Sequence, residues 1–341
     1  MKRRIFTLAI LMLLAGASLT ACLSSSEPEN IPKTSKPETR AYGVKKPIVS
    51  LYLEVNDVDP RIAGTYRIGT EPFFDVVIIF AANVHADADG DPTLFFNDNV
   101  THIVNNIDKY IRPLQAMGIK VLLGILPDYK GIGLSNLTPD QAALYAKILA
   151  LGVERYGFDG VDLDDEYANY GTHGLPNWNT YSYSNLINAL RAEMPAGKLI
   201  TVLEWVADTG GSTNISPAAL QNLDYAWNRY MGATSFGSSY TEGMPAEKWS
   251  PQLLNLNMIY NILLLPQVQN RSRQTKTQGY GAIATYDLRP FSERPATLDV
   301  LQRIATGAEF GTVTRTGEDY IKDWTSGGAT MTITKDDICH L

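Results

Sequence analysis

The feature that most restricts this chain is a rhythm. From residue 47 onward, short, nearly continuous apolar runs of β-forming residues recur at 48–53, 76–80, 121–126, 160–164, 199–203, 223–227 and 281–286. Strands without polar alternation are buried on both faces, as in a parallel sheet covered by helices. Helical spacing fills the gaps. Residues 99–117 carry Ile103, Ile107, Ile111 and Leu114 on one face, and Thr138-Pro139 opens a helix running to about 156. Pro is favoured there because the first helical N–H needs no partner. Residues 181–194 and 297–305 fit as well, and a weaker strand at 248–254 is followed by a helix at 258–265. Alternation sustained over roughly 260 residues matches a (β/α)8 TIM barrel, which takes ~250 residues. A doubly wound open sheet shares the alternation, but no Gly-rich phosphate loop follows the first strand. The expected fold is therefore α/β, a single-domain TIM barrel over 47–311, with a C-terminal extension of unassigned role at 312–341.

The start of the chain reads as an address. Lys2, Arg3 and Arg4 precede an apolar run at 5–15 that is too short to span a bilayer, and small residues lead into Leu19-Thr20-Ala21-Cys22. This tetrapeptide resembles the lipobox of bacterial lipoproteins. The resemblance implies a signal peptide at 1–21 and lipidation of Cys22. Acyl chains there would anchor the protein, each buried CH2 contributing about 0.8 kcal/mol. Residues 22–46, rich in Ser, Pro, Glu, Lys and Thr, read as a flexible tether. Ser24-Ser25-Ser26-Glu27-Pro28-Glu29 is similar to the stretch that follows the lipidated Cys of surface-exported lipoproteins, so the expected location is the cell-surface face of a bacterial outer membrane. With 29 Lys+Arg against 36 Asp+Glu, the chain lacks the basic excess that nucleic acid requires. Two cysteines, Cys22 and Cys339, make neither a disulfide scaffold nor a four-thiolate zinc site.

The informative strand is Asp159-Gly160-Val161-Asp162-Leu163-Asp164-Asp165-Glu166-Tyr167. Alternate side chains share a face, so Asp162, Asp164 and Glu166 point one way and Val161 and Leu163 the other. In a barrel the acids would climb the interior toward the C-terminal rim, where barrel enzymes keep their chemistry. Three carboxyl groups on one buried face must share protons or hold a cation. If protons are shared, Glu166 at the rim is the natural candidate for a raised pKa and a general acid. A calcium loop would need Gly where Tyr167 stands. A magnesium site on the same acids, or a solvated acidic loop, are the other readings.

Asp159-Gly160-x-Asp162-x-Asp164-x-Glu166 resembles the signature of glycoside hydrolase family 18, which holds chitinases and endo-β-N-acetylglucosaminidases. The longer string through Tyr167-Ala168 is similar to the version in the endoglycosidase H and F branch, and Tyr225-Ala226-Trp227-Asn228-x-Tyr230 looks like that branch's sixth strand. The resemblance implies an endo-β-N-acetylglucosaminidase that cuts the β-1,4 bond of the diacetylchitobiose core of N-linked, high-mannose glycans, with no cofactor and no metal. The implied mechanism is retaining and substrate-assisted: the sugar's own acetamide attacks, forming an oxazolinium ion. By motif position, Glu166 would be the acid and base, Asp164 would orient the acetamide, Asp162 would support Asp164, and Tyr230 would bond the acetamide. Asn228 and Asp159 are carried over as substrate-binding positions.

Trp205, Trp227, Tyr129 and Tyr286, aromatic residues expected at the barrel rim, are candidates to stack on sugars, and Glu204, just past a strand, to bond them. Two alternatives remain at this point: a chitinase-like hydrolase of GlcNAc polymers, and a non-catalytic surface glycan-binding lipoprotein. The protein is expected to act as a monomer on glycan or glycoprotein. No His shows metal or triad spacing.

Overall fold

The structure, a computed structural model, describes residues 45–204, 215–229, 243–257 and 264–338. Its main sheet is parallel and closes on itself. Around the ring run β1 (Ile48–Glu54), β4 (Val76–Ala86), β6 (Lys120–Pro127), β7 (Gly160–Leu163), β8 (Leu199–Glu204) and β9 (Tyr225–Asn228). The seventh position is a strand in two pieces, β10 (Trp249–Ser250) on β9 and β11 (Leu253–Asn255) on β12 (Ala282–Tyr286), and β12 pairs β1. Pro251, which cannot donate to a ladder, lies at the break. The expected (β/α)8 barrel is what forms, and the weak seventh strand is real but interrupted.

Two layers of core follow from alternation along the strands. Val49, Leu51, Leu53, Val77, Ile79, Val161 and Leu163 face outward into the layer shared with the helices. Ile48, Tyr52, Val76, Ile78, Leu122, Leu203, Trp227 and Leu253 fill the barrel interior. The helix α4 (Pro139–Tyr156) shows how its sequence sets its ends. Thr138 and Gln141 form a reciprocal capping box, Pro139 sits in the first turn, and Gly157 caps the other end at φ 66°.

Two expectations need correction. The single helix at 99–117 is broken into α1 (Asp98–Asn105), α2 (Ile107–Tyr110) and α3 (Arg112–Ala116). Asn106 leaves the helical region at φ −126°, ψ 41°, its side chain bonding His102 O instead, and Pro113 has no N–H to give. The second strand runs past residue 80 to Ala86 because it turns back to pair with β5 (Pro92–Phe96). The helix expected at 258–265 lies largely outside the described residues, which exclude 258–263, and a further helix, α7 (Leu265–Thr277), was not expected. Its polar sequence, with few apolar anchors, hid it.

The tail is part of the fold. β13 (Val313–Arg315) pairs antiparallel with β2 (Tyr66–Ile68), and β14 (Met331–Ile333) pairs antiparallel with β5. Between them Trp324 stacks on His102, ring centroids 4.8 Å apart, and donates to Asn99 Oδ1 at 2.9 Å. Lys335 sets its ammonium among Asp87, Asp89 and Asp91 at 2.5 to 3.1 Å.

Gly160 opens the acidic strand, and a methyl group there would lie 2.0 Å from Leu199 O, inside the β7–β8 ladder. Gly160→Ala is expected to cost at least about 2 kcal/mol of stability, read as a lowered melting temperature. Gly317→Ala, with open space around it, should leave the melting temperature unchanged.

Candidate active site

The barrel raises the acids of β7 as the alternation requires. Asp162 lies deepest, wholly buried, and three strands serve it. Tyr52 of β1 donates to Oδ2 at 2.6 Å from across the interior, Trp227 of β9 donates through Nε1 to Oδ1 at 2.8 Å, and Thr201 of β8 donates its hydroxyl to Oδ1. Burial pushes this carboxyl up, and the three donors oppose the push by favouring the anion.

Asp164 stands two residues higher, 2% exposed. Its backbone N–H bonds Ile125 O, but its Oδ1 is buried with no partner among the described residues. Burial holds its carboxyl well above the ordinary range, and the neighbouring charges of Glu166, Asp162 and Asp165 add to the effect. Such a group keeps a proton while its neighbours ionise, so the acids titrate as a set. Glu166 is buried just past the end of the strand. The hydroxyl of Tyr167 bonds it, and burial followed by the Glu166 charge pushes that phenol up to about 12.

Asp165 points away from this line and fastens the rim. It accepts from Leu134 N at 2.9 Å, from the Ser135 hydroxyl, and from the Tyr170 hydroxyl at 2.5 Å. The loop after β6 is thereby tied to the loop after β7. A second tie runs from Tyr129 N to Tyr167 O at 2.7 Å. Tyr129 and Tyr167, both at positive φ, are exposed with ring centroids 5.4 Å apart, so an aromatic edge flanks Glu166. Residues of this size at φ near +50° to +60° are held there by their surroundings, as at ligand sites.

The other sequence candidates divide. Tyr286 is on the interior face of β12, half buried at the mouth. Glu204 and Asn228 are register partners on β8 and β9, both fully buried. Trp205 and Tyr230 lie outside the described residues, as do Cys22 and Cys339.

Two assignments change. Asp159 is not at the mouth: it precedes β7 at the opposite end of the barrel, accepting from Gln115 Nε2 at 2.8 Å and Val121 N at 3.0 Å and pairing with Lys120 at 3.2 Å. Its place in the signature reflects strand anchoring. Trp227 has no exposed surface and stacks on Tyr225; its indole N–H serves Asp162, not a sugar.

Sequence reasoning missed Tyr52, Thr201, Asp165 and Tyr167 as parts of the site. Tyr52 was legible in principle, since a polar-tipped ring on interior parity needs a buried acceptor. Among the described residues the three carboxylates whose oxygens converge as metal ligands would are Asp87, Asp89 and Asp91, away from β7, and Lys335 lies among them.

No family model matches the chain. The endo-β-N-acetylglucosaminidase of Flavobacterium sp. (strain SK1022) is 38% identical over 240 residues, 70% of this chain and 74% of that protein. This chain is an endo-β-N-acetylglucosaminidase of glycoside hydrolase family 18. Endo-β-N-acetylglucosaminidase F1 of Elizabethkingia meningoseptica is 29% identical over 315 residues, 88% of this chain and 90% of that one. EndoBT-3987 of Bacteroides thetaiotaomicron, solved with a Man5GlcNAc product, superposes with a TM-score of 0.69 at 25% identity, over 83% of this chain and 65% of the larger protein. The chitinase RmChi1 of Rhizomucor miehei shares the fold, with a TM-score of 0.55 at 13% identity, over 77% of this chain and 99% of that one.

For this endo-β-N-acetylglucosaminidase, Tyr52→Phe removes one of three donors to a buried carboxylate. A bond of that kind contributes about 1.5 kcal/mol or more, so kcat should fall roughly tenfold, with far-UV circular dichroism unchanged. An unaltered kcat would show that the support of Asp162 does not reach the chemistry.

Proposed function

We propose that this enzyme hydrolyses the β-1,4 bond between the two core GlcNAc residues of high-mannose N-linked glycans, with retention of configuration, by substrate-assisted catalysis. The observation that carries the reading is the pair Asp164 and Glu166 at the barrel mouth, where burial and the charges of Glu166, Asp162 and Asp165 raise the Asp164 carboxyl, so that the set of acids retains a proton that can reside on Glu166 while Asp164 is the anion. The substrate class is supported by EndoBT-3987, whose structure holds Man9GlcNAc2Asn.

In the first step the acetamido oxygen of the sugar attacks its own anomeric carbon. The bond from that carbon to the leaving oxygen breaks, and Glu166 gives this oxygen a proton. The resulting oxazolinium is cationic, and Asp164, beside it, orients the acetamide and stabilises the charge. In the second step Glu166 takes a proton from water as the water oxygen bonds the anomeric carbon, and the oxazolinium opens back to the acetamide. Asp162 supports Asp164 from below through charge and shared protons. Tyr230 is the proposed partner of the acetamide, with Asn228 placing it, and Tyr129, Tyr286, Glu204 and Trp205 are the proposed contacts of the wider glycan.

Glu166→Gln should lower release of high-mannose glycan from a denatured glycoprotein by at least about a thousandfold, since acid, base and proton sharing are all lost. Release that survives would remove Glu166 from this role, and cleavage of chitin oligomers in place of glycoprotein would move the substrate to GlcNAc polymers. Asp162→Asn should displace the alkaline limb of the kcat profile to lower pH. One like charge fewer pushes the remaining carboxyls up less, so the last proton leaves earlier as pH rises.

We also propose that the enzyme is tethered to the outer membrane through acylated Cys22. The lipobox resemblance and the polar stretch after it support this. Cys22→Ser should shift the protein from the membrane to the soluble fraction and abolish labelling by an alkyne fatty acid; retention in washed membranes would contradict the anchor.

A further inference from the structure

One half-buried acid at the barrel mouth has no role in the mechanism above. Glu54 ends β1. Along that strand Val49, Leu51 and Leu53 pack toward the helices, while Ile48 and Tyr52 fill the interior. Glu54 therefore has interior parity, two residues above the Tyr52 that reaches Asp162, as Asp164 stands two residues above Asp162.

Its Oε2 is buried and has no hydrogen-bond partner among the described residues. The cation beside it is engaged elsewhere: Arg289 holds Asp287 through Nε at 2.6 Å and Asp57 through Nη1 at 3.0 Å. Among the described residues the charged groups facing Glu54 are these three, and Tyr286 adds its half-buried ring on the β12 side, bonded to Asn255 of β11. Burial raises the Glu54 carboxyl to about 7; its own backbone N–H, bonded to the carboxyl, and Arg289 oppose this, while Asp287 and Asp57 push further. A buried carboxylate oxygen without a donor is costly unless something that binds supplies one. A neutral saccharide supplies hydroxyl and amide N–H donors without adding charge. An acceptor beside an aromatic ring is the usual way to hold such a ligand, the ring taking the apolar face of the sugar and the carboxylate its hydroxyls.

We propose that Glu54 is a substrate-binding residue that accepts hydrogen bonds from glycan hydroxyls on the β1–β12 side of the barrel mouth. The proposal rests on reading the mouth as the glycan site. Bound to sugar, Glu54 is the anion, and so the glycan is held more tightly as pH rises through the free enzyme's Glu54 ionisation.

The test compares the full chain with Glu54→Gln and Glu54→Asp. Glu54→Gln should raise KM for high-mannose glycopeptide roughly tenfold, change kcat by less than about threefold, and remove an inflection near neutral pH from the kcat/KM profile, which reports the free enzyme. Glu54→Asp keeps the charge but withdraws it by one methylene; it should share the KM increase and retain an inflection. Melting temperature supplies a readout independent of turnover. A carboxyl raised from its unfolded value of 4.5 to about 7 makes stability fall as pH rises between those values, because the folded state holds the extra proton. Glu54→Gln should flatten that slope. A lowered melting temperature with unchanged KM and an unchanged kcat/KM profile would assign Glu54 to structure and overturn the proposal. Calorimetric binding of the glycopeptide to Glu166→Gln, with and without Glu54→Gln, separates the two readings. Equal binding by both rejects the Glu54 role alone. Absence of binding by Glu166→Gln itself rejects the glycan site on which it rests.

Discussion

Everything in this molecule turns on keeping several carboxyl groups out of water in one small interior. Isolated, each buried anion would be too costly to fold around. The structure separates their situations. Asp162 has three donors from three other strands, Asp165 is satisfied by the rim loops, and Asp164 is left with a buried, unpartnered oxygen among the described residues and a carboxyl that burial raises well above its ordinary range. The proton that burial forces onto the array is also what glycosidic bond cleavage needs. Structural cost and chemical capacity thus have the same origin.

The barrel is what makes this arrangement possible. Asp162 draws donors from β1 on one side of the ring and from β8 and β9 on the other, so its environment exists only once the sheet has closed. At the opposite end Asp159 bonds Val121 N and Gln115, fixing where β7 enters the sheet and hence how high each acid rises. One strand therefore carries its own anchor below and its chemistry above. The tail, by threading β14 onto β5 and Trp324 onto His102, braces the face from which the β4–β5 hairpin extends.

Much of this was legible in the sequence, for physical reasons. Period-two alternation puts Asp162, Asp164 and Glu166 on one face whatever surrounds them, and Thr138-Pro139 opens α4 by local hydrogen bonding alone. What alternation does not give is which end of a strand a residue occupies relative to its neighbours. Asp159 shares the signature with the acids of the mouth yet lies at the other rim, and Trp227, whose position suits a sugar platform, instead turns its indole N–H to Asp162. Both depend on contacts between residues far apart in the chain. The split of 99–117 had a local cause in Asn106 and Pro113, while α7 was obscured because its sequence carries little apolar periodicity. The pairing of β13 and β14 with partners hundreds of residues earlier had no local signal at all.

The account stands on the claim that the β7 acids share protons. Site-resolved 13C NMR titration of the Asp and Glu carboxyls measures this directly. The account predicts that Asp164 remains protonated well above the ordinary carboxylate range and that its titration is mirrored in the shifts of Glu166 and Asp162. Independent ionisation of all three within the ordinary range would contradict it.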